Sequence, residues 1–138
     1  MQRQGGGAQS EARGMSAWLM ILHIVKRGEW ETAIQKGEYA PASLQTEGFI
    51  HCSTVEQVVE TANLFYRGQR DLIVVCLDEG HLCARLRYEP AVRVSYERRG
   101  RLFPHLYGPL NLDAVTEVLD FPCDAEGRFV LPAALRVA

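Results

Sequence analysis

A continuous aliphatic run is the feature that most restricts what this chain can fold into. The run reads Leu-Ile-Val-Val-Cys-Leu and lies between two charged residues, Asp71 and Asp78. A short run that is rich in β-branched residues and has no polar face is typical of a strand that is buried on both sides of a sheet. We therefore predict that this segment lies at the centre of a sheet.

A second apolar run, Ala17–Val25, predicts the first strand and carries His23 near its end. It is about nine residues long, whereas a helix needs roughly 20 apolar residues to span a bilayer. We therefore expect a strand here and no membrane partner.

Two segments have the spacing of amphipathic helices. Glu29–Lys36 has apolar residues at helical intervals and ends before Gly37, and Val55–Tyr66 has an apolar stripe that ends before Gly68. Most of the later segments read as strands, and this order predicts an α+β fold rather than regular βα alternation. The weaker strand candidates are His81–Glu89, Ala91–Tyr96, Val115–Phe121 and Gly127–Pro132.

Length and charge restrict the class of protein. A chain of 138 residues fits one domain with its own core, which we assign to residues 17–138. Residues 1–16, rich in Gln, Gly, Ser and Arg, are predicted to be a disordered leader. A net charge of −2 argues against a DNA-binding module, which needs clustered Lys and Arg, but is compatible with binding a small nucleotide.

The cysteines predict the compartment. None of the four belongs to a C-x-x-C pair, and they lie in apolar runs, as buried reduced thiols do. This pattern favours the cytoplasm. A zinc site built from His51, His105 and a cysteine would fit the residue types, but no ligand spacing requires it, so we predict no metal.

The stretch Glu47–Ser53 brings polar groups to the start of a helix. Strand alternation would put Phe49, His51 and Ser53 on one face. Ser53 and Thr54 each precede Glu or Gln by three positions, the arrangement that caps a helix start. His51 would thus lie where backbone donors and polar side chains converge on an anionic ligand.

Three histidines are candidate site residues: His23, His51 and His105. Neutral imidazole both donates and accepts hydrogen bonds, so each could recognise a ribose hydroxyl, stack on a base or transfer a proton. The structural alternative for each is a partly buried histidine bonded to a carbonyl. We expect all three to line one cavity.

Other candidates also have structural alternatives. Ser53 and Thr54 could contact a ligand or only cap the helix, and Arg67 could bind a phosphate or only balance the helix dipole. Glu89, between Tyr88 and Pro90, is the candidate catalytic carboxylate, with a surface strand end as its alternative.

The stretch Phe103–Leu110 contains two prolines and a glycine, which predict an ordered but irregular loop. The loop would carry His105 and Tyr107 to a ligand.

Two strings carry a resemblance, G-F-I-H-C-S at Gly48–Ser53 and F-P-H-L-Y-G-P-L at Phe103–Leu110. With these strings the chain resembles domain-of-unknown-function family 952, over roughly residues 21–132. More distantly, the layout is similar to the ADP-ribosyltransferase fold, especially its RNA 2'-phosphotransferase branch. That similarity implies a split β-sheet flanked by short helices.

The similarity also implies roles for two histidines. In that branch a histidine on the first strand binds the adenosine ribose of NAD, which matches His23. A second histidine, in a short H-[hydrophobic]-S string, sits near the nicotinamide ribose, which matches His51 with Ser53. The catalytic Glu of the transferases has no secure counterpart, because Glu89 is not in an E-x-E context.

Our first hypothesis is a small enzyme that binds NAD or an ADP-ribose-like nucleotide in a histidine-lined cleft and transfers a glycosyl or phosphoryl group. The alternatives are a non-catalytic nucleotide or small-molecule binding module and a structural or regulatory interaction protein. In the enzyme hypothesis the catalytic residues are His51 and Glu89, and the ligand contacts are His23, Ser53, Thr54, Arg67, His105 and Tyr107.

Overall fold

The computed structural model describes residues 20–91 and 100–136. The strands are β1 Met20–Lys26, β2 Glu38–Tyr39, β3 Ile50–His51, β4 Leu72–Asp78, β5 Arg85–Pro90, β6 Leu102–Tyr107, β7 Leu110–Asn111 and β8 Val115–Asp120. The helices are α1 Arg27–Lys36, α2 Ser43–Thr46 and α3 Val58–Phe65, and short 3₁₀ helices cover Glu79–His81, Leu112–Ala114 and Ala133–Leu135. The predicted leader, 1–16, lies outside the described residues.

The aliphatic run forms β4, the middle strand of an antiparallel sheet ordered β1-β4-β8. Its side chains are buried from Leu72 to Leu77, so the predicted central strand is confirmed. Two apolar clusters cover the two faces of this sheet, one containing Trp30 and Tyr39 and the other containing Val58 and Phe121.

A second antiparallel sheet, ordered β3-β6-β5, carries His51 on β3 and His105 on β6. Strand β2 pairs with β7. The two three-stranded sheets meet at one bridge, where Leu22 and Ser53 exchange backbone hydrogen bonds of 2.7 and 2.8 Å. The architecture is therefore a small single-domain α+β fold with antiparallel sheets and few short helices, in agreement with the predicted α+β class.

The predicted loop at 103–110 is wrong for most of its length, because Leu102–Tyr107 is strand β6. Pro104 lacks an N–H, but its carbonyl still accepts a hydrogen bond from the Cys52 N–H at 3.0 Å. A proline removes only the N–H donor from a β-ladder. Here the Pro104 carbonyl still pairs with β3, so the strand continues.

Other boundaries also differ from the sequence prediction. The helix predicted from Val55 begins at Val58, and the strand predicted from His81 begins at Arg85. The strand predicted at 127–132 is irregular, because the Asn63 side chain takes both the donor and the acceptor of the Phe129 backbone, at 2.8 and 3.2 Å. The strand predicted at 91–96 falls mostly outside the described residues.

In the parts of the chain that the structure describes, no helix combines the length and the hydropathy of a membrane span.

Gly127 is packed too closely against the backbone for any other residue. Its φ is +84°, and an added Cβ would lie 2.9 Å from the Gly68 N and Cα atoms. Gly127→Ala is therefore expected to lower the free energy of unfolding by about 2 kcal/mol, measured by urea denaturation. Gly28→Ala is the control, because its Cβ would meet no atom within 4 Å. Equal stability of the two variants would contradict the close packing.

Candidate active site

A cavity of about 420 Å³ opens where β1, the end of β3, β6 and α3 come together. This volume is in the lower part of the range of small-molecule sites, about 300–1,000 Å³. Its wall combines apolar and aromatic side chains with a carboxylate, two imidazoles and three hydroxyls. The lining residues are Leu22, Ile24, Glu47, His51, Cys52, Ser53, Thr61, Phe65, Tyr66, Ala91, Phe103 and His105.

The sheet register brings the two cavity histidines together. His51 of β3 lies directly opposite His105 of β6, and their ring centroids are 5.7 Å apart. Phe49 supports both rings, stacking on His105 at 4.0 Å and lying 4.7 Å from His51. Of the three histidines predicted to line one cavity, His51 and His105 do so.

His105 is held in one orientation by Glu89. The His105 Nδ1 lies 2.9 Å from Glu89 Oε1, and the Tyr107 hydroxyl donates to the same oxygen at 2.5 Å. Since a carboxylate only accepts, Nδ1 carries the proton and Nε2 is the nitrogen left for a ligand. Glu89 and Tyr107 are not lining residues. They reach the cavity only through His105.

Burial sets the protonation of this group. His105 is 3% exposed, and desolvation lowers its pKa, which the hydrogen bond that His105 donates to Glu89 partly offsets. Hydrogen bonds from Tyr107 and then His105 lower the pKa of Glu89. At neutral pH the pair is therefore a neutral imidazole and a carboxylate, so His105 can accept a proton.

Glu47 is the carboxylate of the cavity wall and is not among the residues predicted from the sequence. Its Oε1 is bonded to His51 Nε2, and both side chains are more than a third exposed. Strand alternation does not predict this contact, because β3 begins only at Ile50 and the chain turns at Gly48, which has a positive φ.

The structure does not bring His23 to this cavity, so a ribose contact there is a prediction that needs correction. Its Nδ1 is 2.6 Å from the His51 carbonyl oxygen, and its Nε2 is 2.7 Å from the Tyr39 hydroxyl. The cavity lies on the face of β1 that carries Leu22 and Ile24, and residue 23 points to the opposite face. Burial lowers the pKa of His23 to about 4.

The remaining predicted contacts divide between the cavity and the helix ends. Ser53 lines the cavity, and its hydroxyl donates to Thr61 Oγ1 at 3.4 Å. Thr54 is not a lining residue; its backbone N–H donates to Gln57 Oε1 at 3.0 Å. The predicted capping by a hydroxyl is wrong, because α3 begins after Gln57 without a side-chain cap. Arg67 is not a lining residue either, because the chain turns after α3 and its side chain packs beside Gly127.

Within residues 20–91 and 100–136, no group of three or more His, Cys, Asp and Glu side chains could hold a metal ion. Cys52 lines the cavity, but burial raises the pKa of its thiol to about 12, so it is protonated and weakly nucleophilic.

Glu89→Gln should reveal the pairing directly. The glutamine removes the charge that raises the pKa of His105, so that pKa is expected to fall further below its usual value. The measurement is an NMR pH titration of the His105 ring. Glu47→Gln is the matched control and should lower the pKa of His105 by less, since Glu47 acts on it only through a weaker Coulombic effect. A rise in the Glu89→Gln variant would contradict the pairing.

These features define a class: a small α+β protein with a cavity of small-molecule size and two histidine–glutamate pairs. The chain belongs to the family described as protein of unknown function (DUF952), whose model matches residues 24–118. No relative is found among the curated proteins.

Solved structures of one bacterial protein are similar to the whole fold. The crystal structure of protein CC0527 from Caulobacter crescentus is 36% identical with a TM-score of 0.74, and the match covers 84% of this chain and 97% of that chain. The solution NMR structure of CC0527 is also 36% identical, with a TM-score of 0.66 and a match over 80% of this chain and 90% of that one.

Proposed function

We propose that this protein is a small enzyme that binds a nucleotide of the NAD or ADP-ribose type in the cavity and cleaves or transfers its glycosidic bond by acid–base catalysis. One observation carries the proposal: two imidazoles, each bonded to its own glutamate, face one cavity from adjacent strands. Such pairs are a recurrent arrangement for proton transfer.

His105 is the proposed base. Glu89 fixes the tautomer, so Nε2 can take the proton from an attacking water or hydroxyl. This changes the role predicted for Glu89 from a catalytic carboxylate to a residue that supports the catalytic histidine.

Glu47 takes the role that the sequence predicts for Glu89. Cleavage of a glycosidic bond develops positive charge on the ribose, and a carboxylate in the cavity wall stabilises that charge. His51, bonded to Glu47, is the proposed second acid–base group and would protonate the leaving group or orient the ribose.

The relation to the ADP-ribosyltransferase fold is part of this proposal. It is supported by the H-x-S string, because His51 and Ser53 both line the cavity. It is weakened at His23, whose two ring nitrogens are bonded within the protein. The cavity of about 420 Å³ favours binding of one nucleoside half of a dinucleotide inside it. The cytoplasm is the proposed compartment, supported by the buried free thiols of Cys52 and Cys76.

The second candidate is a binding module without catalysis. It is favoured by the position of Glu89, which does not line the cavity. It predicts saturable binding with no product.

Incubation with NAD, ADP-ribose and 2'-phosphorylated nucleotides at millimolar concentration tests the two candidates. Chromatography with mass detection would follow released nicotinamide and new ADP-ribose or phosphate products, and calorimetry would follow binding. Turnover supports the enzyme, and binding alone supports the module. No response to any compound would reject both.

A further inference from the structure

We propose that His23 and Tyr39 are positioning residues, which hold His51 at the cavity from the opposite face of β1. The placement of His51 stands on the structure alone, and only its consequence for turnover rests on the proposed function.

The three residues form a hydrogen-bond chain with one direction. The His51 carbonyl can only accept, so His23 Nδ1 carries the proton that bridges the 2.6 Å. His23 Nε2 is then an acceptor, and the Tyr39 hydroxyl must donate to it across 2.7 Å. Both side chains are buried, with 8% of His23 and 5% of Tyr39 exposed.

The position of His51 in the β-ladder explains why its carbonyl is available to the His23 imidazole. Cys52 N–H bonds to the Pro104 carbonyl, and hydrogen-bonded pairs alternate along antiparallel strands. The pair His51 and His105 is therefore a non-hydrogen-bonded one, in which side chains lie close and backbone groups point away from β6. The His51 carbonyl points towards β1, where the His23 imidazole meets it.

Few backbone hydrogen bonds hold this segment against β1. Strand β3 has two residues, and the backbone contact with β1 is the single bridge at Leu22 and Ser53. Without His23 the His51 carbonyl would lose the donor that holds it in this part-buried contact. A shift of β3 would move His51 relative to His105 and Phe49, and misplacement by about 1 Å can cost about 10²-fold in rate.

The test compares His23→Leu, His23→Asn and Tyr39→Phe without any ligand. His23→Leu removes both bonds, whereas the Asn side-chain amide can take the place of Nδ1–H and donate to the carbonyl. The readouts are the NMR chemical shifts of the His51 and His105 imidazoles and the nuclear Overhauser effects between their rings. We expect His23→Leu to shift the resonances and weaken the contacts, and His23→Asn to restore them.

Trp30→Phe is the control for a general loss of packing. Trp30 packs edge-on against Tyr39 at 5.6 Å between ring centroids. It makes none of the hydrogen bonds that link Tyr39, His23 and His51. It should lower the melting temperature and leave both imidazole spectra unchanged.

Wild-type spectra in a folded His23→Leu variant would overturn the proposal. If that variant does not fold, Tyr39→Phe decides, since loss of its hydroxyl should shift the His23 and His51 resonances and unchanged resonances would overturn the proposal. A lack of response to nucleotides would reject the proposed function without affecting these spectra. If turnover is found, His23→Leu should lower kcat by about 10²-fold and His23→Asn should recover most of it.

Discussion

Replacing His105 with glutamine is expected to lower kcat for the nucleotide substrate by about 10²–10⁴-fold, the usual contribution of a general acid or base. Glutamine can keep a hydrogen bond to Glu89, which holds His105 Nδ1 at 2.9 Å, but it cannot accept and release a proton near neutral pH. KM should change little, because the cavity wall keeps its shape. Steady-state kinetics on the compound that gives turnover measures both constants.

His81→Gln is the matched control for this experiment. His81 also has a carboxylate partner, with Nδ1 2.8 Å from Asp78 Oδ2, but its side chain is 62% exposed and does not line the cavity. The control should have wild-type kinetics. Wild-type kcat in a folded His105→Gln variant would remove His105 from the mechanism.

The second large effect concerns stability in acid. Burial lowers the pKa of His23 from 6.5 to about 4, so between these values the unfolded chain binds a proton that the folded protein does not. Stability therefore rises with pH in this window, is fully present above pH 6.5 and is lost as the pH falls to 4. At 1.36 kcal/mol per pKa unit, the loss from His23 is about 3 kcal/mol.

Urea denaturation of wild type and His23→Asn at pH 7 and pH 4 isolates this contribution. Carboxylates that titrate in the same window contribute equally to both proteins, so the wild type should lose about 3 kcal/mol more than the variant between the two values. His81→Asn, which removes an exposed imidazole, is the control and should behave as the wild type does. Equal losses in wild type and His23→Asn would contradict the buried neutral state of His23.

The sequence predicts the parts of the fold that depend on local pattern. The run at β4 is apolar throughout because both faces of its sheet are covered, and this leaves a signal in the residues themselves. The sequence of strand β6 is misleading, since its proline on its own predicts a loop. Only the pairing with β3, far away in the chain, shows that the Pro104 carbonyl is the group that the ladder uses.

The same division applies to the site. Alternation along one strand correctly put His51 and Ser53 on one face, and both line the cavity. It could not decide which face of β1 the cavity would use, and this is why His23 was assigned to the ligand when it belongs to the core. The pairing of Glu89 with His105 depends on the register of β5 against β6, which no local pattern encodes.

The central claim is that the cavity lined by His51 of β3 and His105 of β6 is a ligand site. The most direct measurement is an NMR titration with NAD and ADP-ribose that follows the imidazole resonances of His51, His105 and His81. The account predicts that the first two shift together along one saturation curve while His81 stays fixed. Unchanged His51 and His105 resonances at millimolar nucleotide, or a shift of His81 equal to theirs, would contradict it.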